Sequence, residues 1–428
     1  MPQAWTILGT CLGLLVAVEA LGPLGGGLRQ TLFLRALKPQ TVQAQPTPWP
    51  TPAALAGQAG ALHTTPAQVA RLLALGPAQK GKALRIAYFA DSMIEGDLIT
   101  EPLRRHIQER FGGAGVGWVG LAPLDAWARE DIQQSFDPAW ERHSILIHDW
   151  QGLDYGPQMA SWTLKHGRGS VHFKGVPSQP LYKFLAPATL WYGPVPTGGK
   201  AQVTVRVDKV SKVLYLEGSK PINALVLSAD PCQKLDLGFE APAALAYFGV
   251  SFDQGSGVDC FSSRGSHGGQ LARLDLEMLK GLQAQRHYDL AITQYGINAI
   301  GQYKDPSFKW YRRSLDAGLR RLQEGLHPAH LLLISASDRS VHGNAGWVSD
   351  PDLPGLLTAQ RAMARDVGIP FINAFDVLGG PGTMAKWGQA EPRLAERDFT
   401  HLTPKGATRL EEGLWRALQK GGHSASAH

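Results

Sequence analysis

The chain has 428 residues, 44% of them hydrophobic, and its 42 Lys and Arg against 36 Asp and Glu give a formal charge of +6. That length buries a substantial core without metal or disulfide staples, which excludes the small stapled scaffolds. The basic residues are scattered rather than clustered, so the excess charge carries no nucleic-acid footprint.

In chain order, Trp5 to Leu24 is apolar apart from Glu19. Residues 1–45 therefore read as a signal sequence or membrane anchor. The flanking charge is atypical for export, because no Lys or Arg precedes the segment while Arg29, Arg35 and Lys38 follow it. Residues 46–82 open with "PTPWPTPAALAGQAGA", where prolines lack ladder donors and small residues bury little. They form a linker ending in a short helix, capped by Thr65 and closed by Gly76. The three cysteines have no metal-ligand spacing. Cys11 lies in the apolar segment, which leaves Cys232 and Cys260 as a disulfide pair or as two free thiols.

"ALRIAYFA" (83–90) is a nearly continuous apolar run, the pattern of a central parallel strand buried on both faces. A helix follows, with Thr100 as its cap, Leu103, Ile107 and Phe111 on one face, and Gly112 with Gly113 at its end. Similar runs recur at "YDLAITQYG" (288–296), "HLLLISAS" (330–337) and "IPFINAF" (369–375), with the helical patterns "WYRRSLDAGLRRLQEGL" and "LLTAQRAMARDVG" between them. This alternation predicts an α/β fold with a doubly wound, flavodoxin-like parallel sheet, formed by residues 83–122 and 263–428, and a site at the strands' C-terminal ends. Residues 123–262 differ. "AQVTVRVDKV", "SKVLYLEG", "NALVLSAD" and "KLDLGFEA" alternate with period two, which predicts an inserted all-β sandwich. "GVDCF" (257–261) marks the return to the α/β pattern as a second strand.

Ser92 directly follows the first strand, in "FADSMIEGDLIT". A serine hydroxyl is a poor nucleophile unless a base takes its proton, a third group orients that base and donors meet the oxyanion. Taken alone, Ser92 is most simply a strand-ending serine. "RDFTHLTPKG" supplies the missing groups: Asp398 and His401 are three apart, so one turn sets the carboxylate against the imidazole. Thr403 and Pro404 then start a helix that carries Leu410, Leu414 and Leu418 inward. Gly268, in the glycine-rich "SSRGSHGGQL", offers a backbone N–H, and Asn298, in "QYGINAIG", a side-chain amide; both also fit ordinary turns after strands. Asp91 suits structural hydrogen bonds in its turn, and Glu95 and Asp97 either line the cleft or face the helix N-terminus. Trp150, Trp162, Trp191 and Tyr192 are core aromatics or, less simply, sugar-stacking residues.

The ordered set "ADS", "RGSHGG", "YGIN" and "DFTH" resembles the four sequence blocks of the SGNH/GDSL hydrolase superfamily. "FADSMIEGDLITEPLRRHIQERFGGAGVGWVG", "SASDRS", "AQRAMARDVGIPFINAF" and "GGPGTMAKW" are similar to bacterial SGNH proteins of the peptidoglycan O-acetylesterase type, some of which carry an inserted β-sandwich. The likeness spans roughly 83 to 418 and is weakest across the sandwich. It implies Ser92 as nucleophile, His401 as base oriented by Asp398, and an oxyanion hole from the Ser92 and Gly268 N–H groups with the Asn298 side chain. Three departures stand out: Ala90 replaces a glycine, no acid follows Asn298 closely, and Gly265 competes with Gly268 for its block.

The resemblance implies a serine esterase that removes O-acetyl groups from a cell-envelope polysaccharide such as peptidoglycan. It implies a periplasmic or envelope-associated bacterial protein that needs no metal or organic cofactor, with the sandwich as a carbohydrate-binding module. An O-acetyltransferase working through the same acyl-enzyme is one alternative. A non-catalytic glycan-binding protein is another. Nothing in the sequence speaks to the oligomeric state.

Overall fold

The computed structural model describes residues 83–147, 154–302, 305–344 and 346–423. The expected anchor, linker and short N-terminal helix, together with Trp150, lie outside these residues. Among the described residues no helix is long and apolar enough to cross a membrane.

Five strands form the parallel sheet: β1 (Arg85–Ala90), β2 (Gly257–Ser262), β3 (Leu290–Gln294), β4 (His330–Ile334) and β5 (Phe371–Ile372), in the order β2-β1-β3-β4-β5. This is the doubly wound order in which the chain reverses beside its first strand. Successive side chains of β1 point to opposite faces, and both faces are covered. Ile86 and Tyr88 pack in an apolar layer with Leu103 and Ile107 of helix α1 (Thr100–Phe111) and Leu410 and Leu414 of α5 (Pro404–His423). Ala87 and Phe89 pack with Met278 and Leu282 of α2 (Leu276–Arg286), Leu315 and Leu319 of α3 (Lys309–Gly325), and Leu356 and Met363 of α4 (Leu353–Val367). Thr403 Oγ1 accepts from the Gly406 N–H at 3.2 Å, the capping expected at the start of α5. Thr100 does not cap α1; it is the first helical residue, and its hydroxyl donates to Asp97 instead.

Between α1 and β2 the chain builds two antiparallel sheets. The first contains the strands Trp140–Ser144, Ala160–Leu164, Ala188–Tyr192, Asn223–Ser228 and Tyr247–Gly255, with Gly113–Val119 paired to the last. The second contains Gln133–Phe136, Arg168–Lys174, Gln202–Val207, Val210–Tyr215 and Lys234–Glu240. Trp162, Leu190 and Tyr247 of the first join Phe173, Val205 and Leu237 of the second in one apolar cluster. Trp118 packs the other way, edge-on to Phe261 of β2 at 5.4 Å.

The boundaries of the antiparallel segment differ from those read in the sequence. It starts with Gly113–Val119 rather than at residue 123, and it ends before β2, which pairs with β1 in the parallel sheet as the reading of "GVDCF" expected, although the bound of 262 had run past it. Glycine hid the entering strand, since Gly inside a strand weakens the pattern and marks close backbone approach. A Cβ on Gly115 would lie 2.1 Å from the Phe252 carbonyl oxygen, and one on Gly113 2.3 Å from that of Ser256. Ser256 alone separates the outgoing strand from β2.

Cys232 and Cys260 are free thiols. The first bridges to Leu185 in the antiparallel region, and the second sits on β2 with its Sγ donating to the Ile94 carbonyl at 3.4 Å.

Candidate active site

At the C-terminal end of β1 the backbone turns sharply. Asp91 caps a short 3-10 segment, Ser92–Asp97, by accepting the Met93 N–H at 3.0 Å, so Ser92 is presented at the sheet edge where it is half-buried. Next to it, the Ser263 N–H donates to the Ala90 carbonyl at 2.9 Å, holding the end of β2 against the same turn.

The turn before α5 brings the base. Asp398 Oδ1 accepts from the backbone N–H groups of Thr400 and His401, both at 3.0 Å, while its Oδ2 lies 2.6 Å from His401 Nδ1. Phe399 adopts φ +53° inside this turn, and its carbonyl accepts from the Ser340 N–H at 2.9 Å, which ties the turn to the hairpin Ser340–Gly343/Gly346–Ser349. His401 Nε2 is 2.8 Å from Ser92 Oγ. Ser92, His401 and Asp398, taken from opposite ends of the chain, are thus one hydrogen-bonded run.

Electrostatics orders the protons along that run. Burial would raise the Asp398 carboxyl, but the His401 hydrogen bond and charge, with the two backbone donors, outweigh it and bring the value down to about 2. An ionised carboxylate only accepts, so Nδ1 carries the proton and Nε2 presents its lone pair to the Ser92 hydroxyl. Burial works to lower the His401 value; the hydrogen bond to Asp398 and its charge prevail, and the net shift is upward.

The proposed donors are less free. The Asn298 amide nitrogen donates to Asp91 Oδ2 at 3.2 Å and to the Ser266 carbonyl at 3.0 Å, so it is anchored beside the serine turn with both hydrogens engaged. The Gly268 N–H donates to Ser266 Oγ at 3.0 Å. Its φ of +90° and the Tyr295 and Leu315 side chains, within 3 Å of where a Cβ would sit, explain why glycine stands there. Gly265, with φ +81°, has open space at the Cβ position.

The acids after Ser92 have structural partners. Asp91 is buried, and burial lifts its carboxyl to about 6 against the Met93, His401 and Asn298 interactions. Glu95 pairs with Arg264, yet burial, reinforced by the Asp125 charge, raises it to about 6. Asp97 lies in a buried cluster with Arg104, Arg129 and Asp131; Arg129 Nη2 donates to Asp97 Oδ2 at 2.8 Å and to Asp131 Oδ2 at 2.7 Å. Asp97 also lines the adjoining cleft, one of the two readings for it, but neither reading foresaw this cluster, whose partners are dispersed through the sequence.

A cleft adjoins the site, walled by Glu95, Leu124, Asp125, Arg142, Trp162 and Arg264. Ser92 and His401 are not among its lining residues; Glu95, on the segment that begins with Ser92, and its partner Arg264 are. Trp162, Trp191 and Tyr192 are all buried, which makes them core aromatics. Trp127, which the sequence pattern passed over, is 56% exposed on the loop between the lining residues Asp125 and Arg129, and does not itself line the cleft. No group of three or more metal-ligating side chains occurs among the described residues.

No protein-family model matches the chain, and no curated protein matches it. Among solved structures, one of a peptidoglycan O-acetylesterase is similar over 84% of this chain and 97% of its own, at 21% identity and a TM-score of 0.59. A Bacillus subtilis protein (13% identity, 68% of this chain and 90% of that one, TM-score 0.31) and a family two carbohydrate esterase from Cellvibrio japonicus (9%, 68% and 98%, 0.27) align too loosely to bear on the fold. The chain therefore shares its fold with the peptidoglycan O-acetylesterase structure, as the resemblance to SGNH hydrolases implied.

Proposed function

We propose that this protein is a serine esterase that removes O-acyl groups, acetyl first among them, from a cell-envelope polysaccharide such as peptidoglycan. The observation that carries the reading is the run from Ser92 Oγ to His401 Nε2 and from Nδ1 to Asp398, at 2.8 and 2.6 Å. Those distances suit proton transfer from the hydroxyl to the imidazole without rearrangement. The shared fold with a peptidoglycan O-acetylesterase structure supports the choice of substrate class.

In this mechanism Ser92 Oγ attacks the ester carbonyl carbon while His401 Nε2 takes its proton. The imidazolium, stabilised by Asp398, then protonates the departing sugar oxygen and leaves an acyl-serine. Water, deprotonated by the same Nε2, attacks that acyl group; acetate leaves and Ser92 regains its proton. The oxyanion takes hydrogen bonds from the Ser92 N–H, from Asn298 and from Gly268 or Gly265. Asn298 gives up its longer bond, to Asp91, when the oxyanion forms, and Gly268 its bond to Ser266 Oγ. The antiparallel region acts as a β-sandwich that holds the polymer, and the protein works in the periplasm or on the envelope.

Ser92→Ala tests the reading directly. Mass spectrometry of O-acetylated cell-wall glycans treated with the parent should record loss of acetyl groups and release of acetate. The variant should be at least about 10³-fold slower. Equal activity in the two proteins would remove Ser92 from the mechanism, and acetyl groups appearing on a second sugar would indicate a transferase.

A further inference from the structure

We infer that the cleft beside the serine turn is a subsite for a neutral sugar unit of the substrate, walled jointly by the parallel-sheet part and the antiparallel region, with Arg142 and Gln158 of the latter as specificity-determining residues. The inference deepens the polysaccharide-esterase reading and rests on it.

Part of the cleft wall is fastened to the serine turn. Ser262, at the end of β2, donates its hydroxyl to the Asp91 carbonyl at 3.3 Å, and Cys260 its thiol to the Ile94 carbonyl at 3.4 Å, so two lining residues hold the backbone on either side of Ser92. Glu95 and Arg264, joined through both carboxylate oxygens, continue the same wall. The antiparallel region supplies the rest: Arg142 of the strand Trp140–Ser144, its cross-strand neighbour Trp162, and Gln158, just ahead of the strand Ala160–Leu164. The cleft spans about 680 Å³ including its open mouth, which is within the range of small-ligand sites.

The walls choose the occupant. They carry three carboxyl groups, those of Glu95, Asp97 and Asp125, and three guanidinium groups, those of Arg129, Arg142 and Arg264. Such a balance draws in neither a polyanion nor a polycation, and polar walls of this kind are unsuited to an apolar ligand. A neutral molecule rich in hydrogen-bonding groups fits, and a sugar unit is one. Gln158 narrows the choice. Its Nε2 donates to the Phe248 carbonyl at 2.5 Å, which also accepts the Trp118 indole N–H at 3.2 Å, so the amide is held in one orientation. Among the described residues its Oε1 has no partner, although Gln158 is only 7% exposed. A buried acceptor left unmet is costly, and a sugar hydroxyl or acetamido N–H supplies the donor. Arg142, which can only donate, takes a sugar oxygen.

The test compares two esters on the parent, Gln158→Met, Arg142→Met and Arg142→Lys: 4-nitrophenyl acetate, which has no sugar, and O-acetylated peptidoglycan fragments. The ratio of kcat/KM for the glycan to that for the small ester should fall about fivefold in each methionine variant, mainly through KM, as the loss of one hydrogen bond requires, and recover in part in Arg142→Lys. Both rates scale with the folded fraction, so poor folding by itself does not move the ratio. A ratio unchanged in either methionine variant overturns the subsite, and so does a parent that cleaves only the small ester. A parent that cleaves neither ester defeats the esterase reading separately. Calorimetric binding of the same fragments then decides for the subsite: weaker binding by the methionine variants supports it, and equal binding overturns it.

Discussion

The Trp347 indole lies against the Phe399 ring, with centroids 3.9 Å apart and planes 30° from parallel. Phe399 sits between Asp398 and His401 with φ +53°, a conformation that a bulky residue rarely holds without outside support. Trp347 supplies that support from the hairpin, together with the backbone bond from Ser340 to the Phe399 carbonyl. Trp347→Ala should lower kcat about tenfold on any ester, with KM little changed, and Trp347→Phe should restore most of it. A loss that appears only in thermal stability, with kcat intact, would reduce Trp347 to a packing residue.

Asp398 sets the pH at which His401 can accept a proton. Its hydrogen bond and charge outweigh burial and raise the imidazole, so the acid limb of kcat/KM should lie above the ordinary histidine value of about 6.5. In Asp398→Asn, burial acts without that opposition, and the limb should move to lower pH while the plateau falls by about 10³ to 10⁴. A pH–rate profile of both proteins checks this. A limb that stays in place after the substitution would mean that Asp398 does not govern the base.

The buried Asp97 cluster predicts a stability effect separate from chemistry. Burial alone would raise Asp97, but Arg104 and Arg129 overcome it and hold the carboxyl well below its ordinary range. Asp131 is driven upward by burial, with the Asp97 charge adding to it and Arg129 opposing it. With the folded Asp97 value below the unfolded one, the stabilisation is complete above about pH 4 and is lost as the pH falls. Asp97→Asn should cost about 3–5 kcal/mol at pH 7, since it leaves two buried guanidinium groups facing one carboxylate. Urea midpoints at about pH 7 and pH 2 should then differ less between parent and variant at the lower pH. A gap of the same size at both would exclude the ionised carboxylate as the source.

What could be foreseen from the sequence follows from the range of the forces involved. β1, β3 and β4 announce themselves as apolar runs, and the helices between them by their spacing, because each is settled within a dozen residues. The Asp398 to His401 pairing is local in the same sense, and the doubly wound topology brings it to Ser92. The entering strand Gly113–Val119 was obscured because its glycines answer to Phe252 and Ser256, some 140 positions later. Trp127 and Trp347 escaped for a related reason: an aromatic side chain looks the same in a sequence whether it is buried like Trp162, left in water or laid on a turn. The acids of "SMIEGD", Glu95 and Asp97, were read as cleft-lining or as facing the helix N-terminus. Arg264 braces the first, and Arg104 with Arg129 the second.

The hydroxyl of Ser92 and the ring nitrogen of His401 meet across 309 positions of chain. One is set by the first strand of the parallel sheet and the other by the turn into its last helix. If the proposed mechanism holds, a partly synthesised or partly refolded molecule has the attacking hydroxyl without its base, and should be inert toward esters until α5 docks beside α1. Recovery of hydrolysis after dilution from denaturant thus times the closing of the fold at its C-terminal end.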